Sequence, residues 1–206
     1  MKERLLIFDF DGVIADSLVP FRAAVTAAWS ESGMTSPMTD EQFLRIFDTN
    51  MYEGLEILGL PMAKVGLFMA ALGKRVAQCA DCRFFEGIQP VVRSLMKSNH
   101  IVVVTSNLSS TVRGMIELHG IQGVEDVLGA DKGTSKVEKI RMVLHRFPGV
   151  SAWYVGDTCG DIKEGKAAGV MTVAAGWGWH CEARLKAARP DILLRKPADL
   201  VAHFGA

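Results

Sequence analysis

The chain has 206 residues, 49% of them hydrophobic and 22% charged, which is enough apolar material for a core domain carrying an insertion and excludes general disorder. Lys plus Arg and Asp plus Glu number 23 each, so no basic footprint points to nucleic acid or to an anionic membrane surface. The first apolar run, residues 5–8, is too short for a signal segment or a membrane span, and a soluble, cytoplasmic protein is expected.

In chain order, short β-like runs alternate with helical stretches, the pattern of a mainly parallel, Rossmann-like sheet with helices on both faces. Residues 4–8 read as a buried strand, followed by strands at 101–104, 127–128, 152–155 and 171–174. Helices are predicted at about 89–97, 110–119, 135–147 and 161–168, each long enough to cross over between parallel strands. More than 90 residues separate the first two strands, and most of that interval has helical character. Residues 21–31 carry a helical apolar period, and Thr39 followed by Gln42 has the form of a capping box. Residues 62–80 read as a long apolar-rich stretch of helical character. This predicts an inserted α-helical domain at 18–84, with the α/β core made of residues 1–17 and 85–206. Cys79 and Cys82 have C-x-x-C spacing, but no second close pair completes a zinc site; they read as reduced thiols on a helix.

The chemistry-bearing residues collect at predicted strand ends. Asp9 and Asp11 follow the first strand, and residues two apart in an extended segment point the same way, into the crevice where ligands of open α/β sheets sit. Gly12 then permits a sharp turn. Thr105, Ser106 and Asn107 close the second strand and offer hydroxyls, an amide and backbone N–H groups, either to a phosphoryl group or as ordinary helix-cap donors. Lys136 stands at a helix start, where a cation opposes the macrodipole unless an anion lies nearby; Lys132 is a competing candidate. Gly156-Asp157-Thr158-Cys159-Gly160-Asp161 adds two acids after the fourth strand. Asp157 reads as a metal ligand, and Asp161 either as a second ligand or as a group orienting a metal-bound water or Lys136.

Together these motifs resemble the haloacid dehalogenase-like hydrolases, in particular phosphoglycolate-phosphatase-like members with a helical cap, and the resemblance covers essentially the whole chain. The family's D-x-D-G motif is matched at Asp9 to Gly12, its strand-end hydroxyl at Thr105, its lysine at Lys136 and its G-D-x-x-x-D motif at Gly156 to Asp161. The Ala175-Gly176-Trp177-Gly178-Trp179 segment resembles the family's loop after the next strand. Many such phosphatases carry Thr where this chain has Val13, which weakens any claim to a named substrate.

The resemblance implies a Mg²⁺-dependent phosphatase acting on a small phosphorylated metabolite, either phosphoglycolate-like or a sugar phosphate. Asp9 would be the nucleophile that forms an aspartyl-phosphate, and Asp11 the general acid and base. Asp9, Asp11 and Asp157 would hold the metal, the second of these through its backbone carbonyl. Thr105, Ser106, Asn107 and Lys136 would hold the phosphoryl oxygens, and Arg22, Arg45, Lys74 and Arg75 of the insert either contact an anionic substrate or form a solvated face. A phosphomutase of the same superfamily, resembling β-phosphoglucomutase, would keep every core residue. A dehalogenase would not need Asp11, and a phospho-accepting receiver domain would lack the insert. Nothing in the residues sets an oligomeric state.

Overall fold

The computed structural model describes residues 2, 4–76 and 82–205. The chain divides into two compact units, Met1–Asp16 with Arg83–Ala206, and Ser17–Cys82. In chain order, β1 (Arg4–Phe8) and β2 (Ala15–Asp16) lead into the second unit, which holds α1 (Leu18–Glu31), α2 (Asp40–Arg45), α3 (Met51–Ile57) and α4 (Met62–Val76). The first unit resumes with β3 (Arg83–Phe84), α5 (Ile88–Leu95), β4 (Asn99–Val104), α6 (Ser109–Leu118), β5 (Asp126–Leu128) and α7 (Lys136–Arg146). It ends with β6 (Ser151–Gly156), α8 (Cys159–Ala168), β7 (Met171–Ala175), α9 (Glu182–Ala187), β8 (Ile192–Leu194) and α10 (Asp199–Phe204). No helix among the described residues is long and apolar enough to cross a membrane.

Six strands form one parallel sheet in the order β5-β4-β1-β6-β7-β8. Leu5 and Ile7 point to one face, where they join Val102, Val104 and Tyr154 under Ile140 and Val143 of α7. Their alternates, Leu6 and Phe8 with Ile101 and Val103, are also fully buried, so both faces of the sheet are covered. That double burial is why β1 and β4 read as unbroken apolar runs. The register sets Phe8 beside Val103 on one side and Val155 on the other. Asp9, Thr105 and Asp157 therefore leave the sheet within about one residue of the same level, where the connection reverses direction across β1.

The second unit is wholly helical among its described residues. Ala24, Val25, Ala28 and Trp29 of α1 and Phe68, Ala71 and Leu72 of α4 are the buried residues of two packed helices. Thr39 caps α2 in a reciprocal capping box with Gln42, as its spacing predicts. Gly54 is required by close approach: a Cβ there would lie 2.0 Å from the Ile46 carbonyl oxygen.

Three short strands escape the sequence pattern. β2 and β3 pair antiparallel at the chain's exit from and return to the first unit, so Arg83 and Phe84 belong to that unit, and β8 adds a sixth strand to the sheet's edge. The predicted helix 62–80 is observed to Val76, and Cys79 lies outside the described residues. Cys82 is buried in the segment just before β3 and is not helical, because the chain there is already extending into the strand.

Truncating Ile140 to Ala should cost about 2–5 kcal/mol. The neighbouring, half-exposed Met142→Ala should change stability by less than about 0.5 kcal/mol. Urea denaturation of the two variants measures the contrast.

Candidate active site

Asp9 is the first residue beyond β1, and its Oδ1 accepts a hydrogen bond from the Phe10 N–H at 2.8 Å. Its other oxygen, Oδ2, accepts from Lys136 Nζ at 2.7 Å. The same ammonium donates to Asp161 Oδ1, also at 2.7 Å. All three side chains are at most 12% exposed, so these are buried ion pairs. Lys136 is the first residue of α7, whose cap is Ser135. A cation there opposes the helix dipole, and two carboxylates supply the reason for it.

Asp161 is fully committed. Its Oδ2 accepts from the Thr158 N–H at 3.1 Å and hydroxyl at 2.6 Å, closing the capping box that starts α8. Its Oδ1 takes Lys136 and the buried Tyr154 hydroxyl, the latter at 3.1 Å. Gly156 makes this possible, since a Cβ there would sit 2.2 Å from Asp161 Cβ.

Asp157 is clamped between glycines. A Cβ on Gly12 would lie 2.0 Å from Asp157 Oδ2, and one on Gly178 2.3 Å from Asp157 Cβ. Gly12 also has φ +79°, a left-handed conformation that side chains disfavour. Asp157 Oδ2 accepts from the Trp179 N–H at 2.7 Å, while its Oδ1 is buried without a hydrogen-bond partner. Trp177 Nε1 donates to the Val13 carbonyl at 3.0 Å, fastening the same loop to the turn after Asp11.

A second chain of contacts runs through Asp11. Asn107 Nδ2 donates to Asp11 Oδ2 at 2.6 Å, and the Asn107 N–H donates to Thr105 Oγ1 at 3.0 Å. Thr105 is fully buried and Ser106 is exposed. The Asp11 carboxylate is not part of the acidic cluster: Asp9, Asp157 and Asp161 are the three whose oxygens gather within 4.8 Å of one another.

Crowding of acids sets the electrostatics. Burial, then the charges of Asp161 and Asp11, push the Asp9 carboxyl up to about 7 against the opposing pull of Lys136. Asp157 is raised well above the usual range by burial and then by the charges of Asp161 and Asp9. Burial works the same way on Asp161, but the Lys136 charge and the Lys136 and Thr158 bonds outweigh it and hold this carboxyl low. Lys136 is itself raised, because Asp161 and Asp9 overcome its burial. Of three clustered, buried carboxylates two contact the Lys136 ammonium, while the third, Asp157, contacts no cation side chain among the described residues and has one oxygen with no donor. Both features fit a divalent cation with oxygen ligands.

The remaining cationic candidates are occupied elsewhere or exposed. Lys132 lies in a short 3₁₀ turn with its ammonium 3.8 Å from Asp131. In the helical unit Arg22 pairs with Asp40 and Arg75 with Glu31, while Arg45 and Lys74 are exposed. Thr158 and Trp179 stand within the sequence motifs, but the sequence assigns no role to them, nor to Tyr154 or Lys139. Lys139 lies three residues after Lys136 on the same helix face, a position that by sequence alone reads as solvated.

Comparison with known proteins decides the family. A family model described as haloacid dehalogenase-like hydrolase matches residues 6–175. The chain belongs to the haloacid dehalogenase-like hydrolases. A phosphoglycolate phosphatase of Synechococcus elongatus is 25% identical over 95% of this chain and 94% of its own length. A Dickeya dadantii protein named probable phosphatase IndB is 26% identical over 96% of this chain and 91% of its own. A haloacid dehalogenase-like hydrolase structure from Streptococcus pneumoniae has the same fold, with a TM-score of 0.80, 22% identity and coverage of 99% of this chain and 100% of that one. The family and these relatives make the enzyme a phosphatase.

Replacing Lys136 by Met should lower stability by about 3–5 kcal/mol, because Asp9 and Asp161 lose the cation that offsets their burial. Urea unfolding at neutral pH reads the loss.

Proposed function

We propose that the enzyme hydrolyses a small organic phosphate monoester with Mg²⁺ through an aspartyl-phosphate on Asp9. The observation that carries this reading is the Asp9 carboxylate at the sheet's carboxyl edge, bonded to a lysine that a second, immobilised carboxylate holds in place. Phosphoglycolate enters as the first candidate substrate because a relative bears its name, and small sugar phosphates follow it.

In this mechanism Asp9 attacks phosphorus in line and the bond to the leaving oxygen breaks, while Asp11 gives that oxygen a proton. Asp11 then takes a proton from the water that attacks the aspartyl-phosphate. The bond between phosphorus and the Asp9 oxygen breaks, and orthophosphate leaves. The Asn107 amide fixes the Asp11 carboxylate for both transfers. Lys136 neutralises charge on the transferring group, and Thr105 with the Ser106 N–H holds further oxygens. Asp161 acts through Lys136, since its own oxygens are already bonded.

Asp9, Asp157 and the Asp11 carbonyl are the residues that would hold Mg²⁺, a hard ion whose positive charge offsets the repulsion between a carboxylate and a phosphate. The unpartnered Asp157 oxygen supports that assignment.

Phosphate release from a panel of small esters tests the reading. Release should require Mg²⁺, stop with EDTA and vanish in Asp9→Asn, whose neutral amide cannot attack. Lys136→Ala should lose about 10²–10³ in kcat. Lys132→Ala should stay within about twofold, as a surface change away from the site. Near-normal turnover by Asp9→Asn would remove Asp9 from the nucleophile's role.

A further inference from the structure

Lys139 is a buried cation with no step in this mechanism. It is 1% exposed, one turn after Lys136 on the face of α7 that also carries Ile140 and Val143. An apolar side chain would suit that face better, because desolvating an ammonium is costly. The cost is visible in its acidity: burial first, then the charge of Lys136, pull the Lys139 ammonium down to about 8.

What it gains is a pair of backbone oxygens. Lys139 Nζ donates to the Thr105 carbonyl at 2.6 Å and to the Gly129 carbonyl at 3.3 Å. These residues are the first beyond β4 and β5, where the parallel ladder makes its last bond, Thr105 N–H to the Leu128 carbonyl at 3.0 Å. The two strand-end turns touch through backbone: Ala130 N–H donates to the Asn107 carbonyl at 2.7 Å, and a Cβ on Gly129 would lie 2.3 Å from that same oxygen. Both carbonyls lie beyond the ladder's last register pair, Val104 with Leu128, and a single ammonium from α7 joins them, the Gly129 carbonyl also accepting from the Lys132 N–H at 3.1 Å.

We propose that Lys139 is a positioning residue for the reaction, clamping the Thr105 and Gly129 carbonyls so that the 105–107 turn is held in register with the helix that presents Lys136. The turn carries Thr105 and the Asn107 amide that reaches Asp11, whereas Lys136 reaches Asp9. Both halves of the site then take their spacing from one helix. The kinetic part of this proposal rests on the phosphatase mechanism above; the clamp itself does not.

The test compares wild type with K139M, which keeps the length and apolar stem but no donor, and with K139Q, which keeps a shorter neutral donor. A misplacement of about 1 Å at a reacting centre costs on the order of a hundredfold. K139M should therefore lose about 10- to 100-fold in kcat with KM within about threefold, and K139Q should fall between it and wild type. Hydrogen exchange without substrate should show faster exchange at residues 105–107 in K139M, with β1 and β6 still protected. Wild-type kcat together with wild-type exchange in K139M would overturn the proposal. If wild type itself turns over no phosphate ester, the phosphatase mechanism fails while exchange still decides the clamp: faster exchange supports it and unchanged exchange overturns it. If K139M does not fold, K139Q carries the same two readings.

Discussion

Lys136 stands between two buried carboxylates, and the rest of the site is arranged around that contact. One carboxylate ends β1 and the other sits in the first turn of α8, so the ammonium at the head of α7 ties three elements together. An ion pair taken out of water is worth keeping only when its remaining bonding capacity is met. Asp161 meets that condition with Thr158 and Tyr154, and Asp9 through Oδ1 meets it with its neighbour's N–H. The acidic excess that remains is what makes the cluster suited to a divalent cation.

Backbone proximity does the rest of the positioning. Asp157 can enter the cluster only because Gly12 and Gly178 offer no side chains where it lies, and Asp161 only because Gly156 offers none. The Trp177 bond to the Val13 carbonyl ties the loop after β7 to the turn after β1. A hydroxyl at position 13 is absent from this chain, yet its backbone is still anchored, so the fastening survives the departure from the family pattern.

Most of the fold was legible in the sequence because parallel strands buried on both faces leave continuous apolar runs, as in residues 4–8 and 101–104. Most of the short pieces were not. β2, β3 and β8 are two or three residues long, too short to show a period, although the equally short β5 was found at 127–128. The site's acids could be read from their places after strands, and Lys136 from its place at a helix start, where a cation opposes the dipole. Tyr154 could not, since an aromatic in an apolar strand reads as core until its hydroxyl is seen on Asp161. Lys139 was hidden differently: a lysine on a helix reads as solvated, and only the two strand-end carbonyls explain its burial.

Phosphorylation of Asp9 during turnover is the step to trap. Enzyme turning over its best ester should be quenched in acid, treated with borohydride to reduce any acyl phosphate, and mapped by peptide mass spectrometry. Homoserine is expected at position 9, as the reduction product of an aspartyl-phosphate there, and none in Asp9→Asn. Homoserine at another aspartate, such as Asp11 or Asp157, would contradict it.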